Sequence, residues 1–243
     1  MGGALLRRWL AADIGPVAVI DPAPAALPEG IVAAADPPAG VPDILVLAVK
    51  PQVWRAVAPP LAGRVGPFTV IVSVMAGVST ADLAVCFERS PIVRAMPNTP
   101  AAVGQGITAL YTGAGDLVKG AATALFGPAG ATLWLDREDQ FDAVTAVSGS
   151  GPAYVYAFVE ALAAAGAAAG LSPDIAGQLA RQTVTGAAAL AAAEPMTPVA
   201  TLRERVTSPG GTTAAGLAVL RPALDPLVEA TVAAAAARAR ALG

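Results

Sequence analysis

Six short apolar runs, each bounded by Gly or Pro, constrain the first half of this chain more than anything else in it. They are PVAVID, ending at Asp21, then DILVLAVKP (43–51), TVIVSVMAG (69–77), PIVRAMPNTP (91–100), GITALYTG (106–113) and ATLWL (131–135). Their length and β-branched content predict buried strands of a mostly parallel sheet. VWRAVAPPLAG and STADLAVCFE have room for short crossover helices between them, the second with Ser79 or Thr80 as N-cap. Strand and helix alternating in this way is a doubly wound α/β plan.

The start of the chain departs from that plan. Leu5, Leu6, Trp9 and Leu10 recur at helical spacing, so a helix is expected almost from the first residue, with Gly2 and Gly3 at its head. A doubly wound domain ordinarily leads with a strand.

Near Asp136 the pattern changes. From Phe141 onward the chain is Ala-rich and divided by SGSGP, GLSPDIA, EPMTP and TSPGG into helical segments, which predicts a dinucleotide-binding domain over 1–137 and a helical domain over 138–243. Faces such as ALAAAGAAAG and TGAAALAAA permit close helix packing but carry little large apolar surface. Burial is therefore expected to continue into a partner subunit, with a monomeric Ala-rich bundle as the alternative.

Composition removes several classes of chemistry. The chain has no histidine and one cysteine, Cys86, which excludes intrachain disulfides, the usual zinc sites and every His-based triad, so no metal is expected. A net charge of −3, with scattered basic residues, argues against nucleic acid. The long uncharged stretches are broken by Gly, Pro and Ser, so no membrane span is expected, and no secretory signal is visible; the cytoplasm is the expected compartment. Only two of fifteen basic residues are lysines, Lys50 and Lys119, which draws attention to Lys50 in LAVKPQ without separating it from Lys119 in a bland DLVKG.

Two stretches carry binding chemistry. AVKPQ (48–52) ends the second quoted run, the best strand in the chain, where main-chain N–H groups and a lysine can meet phosphate or ribose oxygens; an ordinary strand-ending loop is the competing reading. In VTSPGGTTAAGLAVL (206–220), Ser208, Pro209, Gly210 and Gly211 form a turn that delivers Thr212 and Thr213 to the first turn of a helix. Several unpaired N–H groups and hydroxyls then point one way, a receptor for a carboxylate or phosphate oxygen. RAMPNTPA (94–101) reads equally as a structural turn or a cleft lining. GQGITA (104–109) has the letters of a dinucleotide loop but precedes a strand instead of following one, and GSG (149–151) lacks the nucleophile-elbow frame.

LAVKPQ, RAMPNTPA, AVSGSGPAYVYAFVEAL and SPGGTTAAGLAVL, in that order and at these separations, resemble the pyrroline-5-carboxylate reductases over essentially the whole chain. The resemblance implies a Rossmann-type mostly parallel sheet followed by an all-α C-terminal dimerisation domain. It also implies NADPH or NADH as cofactor, 1-pyrroline-5-carboxylate as substrate, a homodimer or higher homo-oligomer, and an active site between the nicotinamide and the C-terminal domains. Carried over residue by residue, Ala48, Val49, Lys50 and Pro51 form the cofactor-contacting turn, with Ala76 and Asn98 nearby. Ser208, Gly211 and Thr212 hold the substrate carboxylate, and Thr213 is the catalytic threonine whose hydroxyl bonds the ring nitrogen. Asp21, the last residue of the first quoted run, stands where a carboxylate accepts from the adenosine ribose, which pulls toward NADH or dual use.

Beside the family pattern, Met1 and Gly2 look like the end of the glycine fingerprint, with Gly2 as its third glycine. About ten residues of the pattern, its first strand and most of its loop, are then expected to be missing, with a gap in the sheet between PVAVID and DILVLAVKP. Two alternatives follow: a non-catalytic dimeric scaffold, or another imine or β-hydroxyacid-type reductase of the same fold. The β-hydroxyacid dehydrogenases depend on a lysine in the long interdomain helix, and residues 141–170, where that helix is expected here, contain none.

Overall fold

The computed structural model describes residues 1–22 and 27–242. It divides into two compact units, Met1–Gly149 together with the last residues from Ala235, and Ser150–Ala234.

In the first unit a five-stranded sheet runs in the order β3 (Ile44–Leu47), β4 (Val70–Ser73), β5 (Ile92–Pro97), β6 (Gly106–Tyr111), β7 (Gly130–Trp134). All neighbours are parallel except β5 and β6. That one antiparallel pair follows from chain length: the stretch from Asn98 to Gln105 holds a single short 3-10 turn and is too brief for a parallel crossover. β1 (Val19–Ile20) and β2 (Ala33–Ala34) form a separate parallel pair, so the gap expected between PVAVID and DILVLAVKP is present. Each quoted run contains a strand; most are shorter than their run, while β7 starts one residue ahead of ATLWL, at Gly130. β2 was not expected.

Both faces of the sheet are covered, which explains why β4 is buried throughout rather than on alternate residues. On one face Val70 and Val72 pack with Leu5, Leu6 and Trp9 of α1 (Gly2–Ala11) and with Ala122, Leu125 and Phe126 of α4 (Asp116–Phe126). On the other, Ile71 packs with Trp54 and Ala58 of α2 (Trp54–Ala62) and with Leu83 of α3 (Thr80–Ala84). The opening helix is thus a core element, tied down by Trp9 Nε1 donating to Leu125 O at 2.7 Å and Arg8 Nε to Pro128 O at 2.7 Å. α4 was missed in DLVKGAATALF, although Val118, Ala122, Leu125 and Phe126 recur at helical spacing.

Ser79 caps α3 in a reciprocal box with Asp82. The Ser79 hydroxyl bonded to Asp82 holds that carboxyl below its usual range; the Ser79 main-chain N–H and Arg55 add to the effect and burial opposes it. A carboxyl lowered by folding contributes stability that is complete above its unfolded value and is lost as pH falls through the folded one. Ser79→Ala is therefore expected to cost about 1 kcal/mol near neutrality, with the difference from wild type shrinking in acid. Urea unfolding at neutral and acidic pH checks both; a pH-independent difference would contradict the linkage.

The interdomain helix expected over Phe141–Gly170 is not continuous. α5 (Phe141–Val144) runs into a π turn (Thr145–Gly149), and α6 (Gly151–Ala168) starts afresh. Pro152 is the reason: it has no N–H to offer the Ser148 carbonyl, and it sits in the first turn of α6, where none is needed.

The second unit is helical: α6, α7 (Pro173–Ala193), α8 (Val199–Arg205) and most of α9 (Thr212–Leu242). α6 and α7 approach closely at Gly166, where a Cβ would lie 3.3 Å from that of Ala176. Yet none of α6 is buried, and Tyr156 and Leu227 remain 62% and 64% exposed. So much exposed apolar surface in one unit is in line with burial continuing into a second subunit. Among the described residues no helix is long and apolar enough to cross a membrane.

Candidate cofactor and substrate sites

β3, β4 and β5 are mutually parallel, so the segments following them emerge at one edge of the sheet. Those segments carry Ala48, Val49, Lys50 and Pro51 after β3, Ala76 after β4, and Asn98 after β5. The carboxyl edge of a parallel sheet is where doubly wound domains bind ligands. Six residues named from sequence thus share one edge.

Gly2 joins them. It opens α1, and a Cβ built on it would lie 3.1 Å from the Ala48 Cβ, so the head of α1 rests on the turn after β3. The first bonds of that helix run from Ala4 and Leu5 N–H to Met1 O, which leaves the N–H groups of Gly2 and Gly3 ahead of them. Asp21 follows β1, in the two-stranded sheet, so no strand pairing joins it to the turns after β3, β4 and β5.

Asn98 is engaged at both ends of its amide. Its Oδ1 accepts from Ile107 N–H at 2.9 Å, and its Nδ2 donates at 3.2 Å to Ser148 O, the carbonyl that Pro152 leaves without a helical donor. The side chain holds β5, β6 and the π turn together.

A charged cleft of about 400 Å³ in this unit has Gly77, Ser79, Asp82, Arg94, Glu138 and Asp142 in its wall. Arg94 and Glu138 were not singled out from the sequence. The signal was present, since an arginine in the middle of an apolar strand requires a partner.

In the second unit the Ser208–Gly211 turn closes with Gly211 N–H donating to Ser208 O at 3.0 Å, and Gly210 takes a left-handed φ of +68°. A Cβ on Gly211 would collide with the Ser208 hydroxyl. The first i→i−4 bond of α9 is Ala215 N–H to Gly211 O, 3.1 Å. Ahead of it the N–H groups of Thr212, Thr213 and Ala214 have no helical acceptor, and Ser208, Thr212 and Thr213 are exposed. Three aligned donors and three hydroxyls, at the positive end of a 31-residue helix, can receive a carboxylate. Gly211 itself closes the turn with its N–H and leaves room for the Ser208 hydroxyl.

A family model described as pyrroline-5-carboxylate reductase dimerisation matches residues 138–242. The pyrroline-5-carboxylate reductase of Pseudomonas aeruginosa is 44% identical over 206 residues, covering 82% of this chain and 74% of that protein. Among solved structures, a Plasmodium falciparum pyrroline carboxylate reductase with NADP bound is 30% identical with a TM-score of 0.84, covering 100% of this chain and 94% of that one. A Coxiella burnetii pyrroline-5-carboxylate reductase is 38% identical with a TM-score of 0.78, over 83% and 76% of the two chains.

Proposed function

The chain belongs to the pyrroline-5-carboxylate reductase family, and on that premise we propose that it reduces 1-pyrroline-5-carboxylate to L-proline with NADH or NADPH. The observation that carries the reading is the receptor at the head of α9, whose unengaged N–H groups suit the substrate carboxylate. The scaffold and hydroxyacid-reductase alternatives gain no support from the relatives.

The cofactor turns fit a dinucleotide: a glycine bare against Ala48, at a helix head on the carboxyl edge, leaves a cradle that a side chain would fill. Gly2, Ala48–Pro51 and Ala76 would hold it, with Asn98 shaping the turn after β5 and Asp21 meeting the adenosine ribose. When bound, the reduced nicotinamide supplies the hydride.

The chain's own part is positioning. Ser208 and the N–H groups of Thr212 and Thr213 hold the carboxylate, and Gly211 keeps the Ser208 hydroxyl in place. The cyclic imine is basic enough to arrive protonated, so its carbon is already electrophilic and its nitrogen already carries the proton of the product amine. No group titrating near neutrality is needed, which accounts for a working site without histidine. The Thr213 hydroxyl oxygen accepts from the ring N–H, orienting the ring and stabilising charge on its nitrogen.

Exposed apolar side chains in the second unit, with the dimerisation model matched there, support assembly as a homodimer or a higher homo-oligomer. Reduction of a small metabolite by a nicotinamide fits the cytoplasm.

The test is to follow NADH and NADPH oxidation together with proline formation. Turnover with both is expected, with the lower Michaelis constant for NADH because a carboxylate at Asp21 disfavours a 2′-phosphate. Saturable cofactor binding without proline would overturn the reductase reading, and no binding at all would favour a scaffold.

A further inference from the structure

We propose that Glu138 and Arg94 are positioning residues for the nicotinamide cofactor, acting through the turns that carry Ala76 and Asn98; this rests on the reductase reading. Arg94 lies in the middle of β5 with its side chain 12% exposed, and Glu138 opens the 3-10 turn (Glu138–Gln140) that leads into α5, with its side chain 21% exposed. Charges this far from water persist only when paired and hydrogen-bonded.

The pairing is specific. Arg94 Nη1 donates to Glu138 Oε1 at 3.1 Å, and the guanidinium carbon lies 4.3 Å from the centre of the Phe141 ring. The same carboxylate accepts from Thr80 N–H at 2.8 Å on Oε1 and from the Thr80 hydroxyl at 2.7 Å on Oε2. One side chain therefore ties together β5, the first residue of α3 and the 3-10 turn ahead of α5.

Those ties stop where the cofactor turns begin. Thr80 is four residues beyond Ala76, across Gly77 with its φ of +75° and the capped Ser79. Arg94 is four residues before Asn98 on the same strand, whose amide is itself locked to the π turn. Fixing Thr80 and Arg94 to one carboxylate sets the spacing between the turns after β4 and β5. An apolar pair could fill the same volume at least as stably, but it would not fix that spacing by direction and distance. The charge pair fits a geometric task better than a packing one.

The experiment is steady-state kinetics and fluorescence titration with NADH and with NADPH on wild type, Glu138→Ala, Glu138→Gln and the milder Thr80→Val. Glu138→Ala is expected to raise the cofactor KM and Kd about tenfold, with kcat and the KM for pyrroline-5-carboxylate moving less than about threefold. Glu138→Gln keeps an acceptor for Thr80 N–H and should recover most of the affinity, and Thr80→Val should fall between. Should Glu138→Ala fail to fold, Thr80→Val and Glu138→Gln still have to show a cofactor-specific rise in KM. Wild-type binding with unchanged cofactor KM in the variants, or a fall in kcat alone, would overturn this inference and leave the reductase reading standing. No binding of either NADH or NADPH by wild type would overturn both.

Discussion

Thr213→Ala is expected to lower kcat for pyrroline-5-carboxylate reduction by about ten- to a hundredfold while the protein stays folded. Thr213 is exposed in the first turn of α9, so truncation leaves no cavity, and alanine is the better helix former. The main-chain N–H at 213 survives, so the receptor for the carboxylate keeps its donors and the substrate KM should change little. What is lost is the hydroxyl facing the ring nitrogen, an interaction with the group whose charge changes during reduction. Thr213→Ser should retain most of the rate. A near wild-type kcat in Thr213→Ala would remove this residue from the catalytic assignment, whatever the family membership.

Gly130→Ala is expected to destabilise the first unit by about 3 kcal/mol or more, a large part of the stability of an ordinary domain. Gly130 opens β7 with φ 134° and ψ −153°, a conformation essentially confined to glycine. It pairs with Gly106 at the start of β6, and the two main chains are so close that an added Cβ would overlap the Gly106 carbonyl oxygen and lie 2.6 Å from its nitrogen. None of these atoms can move without moving a strand. Urea unfolding measures the loss, and an unchanged midpoint would refute the argument. The two variants also separate function from folding: Gly130→Ala should lose both together, Thr213→Ala activity alone.

Much of the fold is legible because its signals are local. β-branched runs closed by Gly or Pro mark the strands of the five-stranded sheet, and Ser79 three residues before Asp82 marks the capped start of α3. The receptor is legible for the same reason, since Ser-Pro-Gly-Gly-Thr-Thr contains both the turn and the helix head. The signal of α4 is weaker, since Gly120 interrupts the apolar spacing of Val118, Ala122, Leu125 and Phe126. The break between α5 and α6 was also within reach, in Pro152, but an Ala-rich context masked it.

By itself the sequence determines most of the strands of the five-stranded sheet, the Ala-rich helical half, where turns need glycine, which chemistries are impossible without histidine, and which family the motifs resemble. Only the tertiary structure decided that Gly2 rests on Ala48, that Asn98 spends its amide on Ile107 and Ser148, and that Glu138 meets both Arg94 and Thr80. The partners of Glu138 lie 44 and 58 residues away in the chain, and those of Asn98 9 and 50. Short-range pattern reports backbone conformation, which each residue biases through its own sterics. Which distant polar groups meet depends on strand order and helix packing, which are set by burial of the whole core at once.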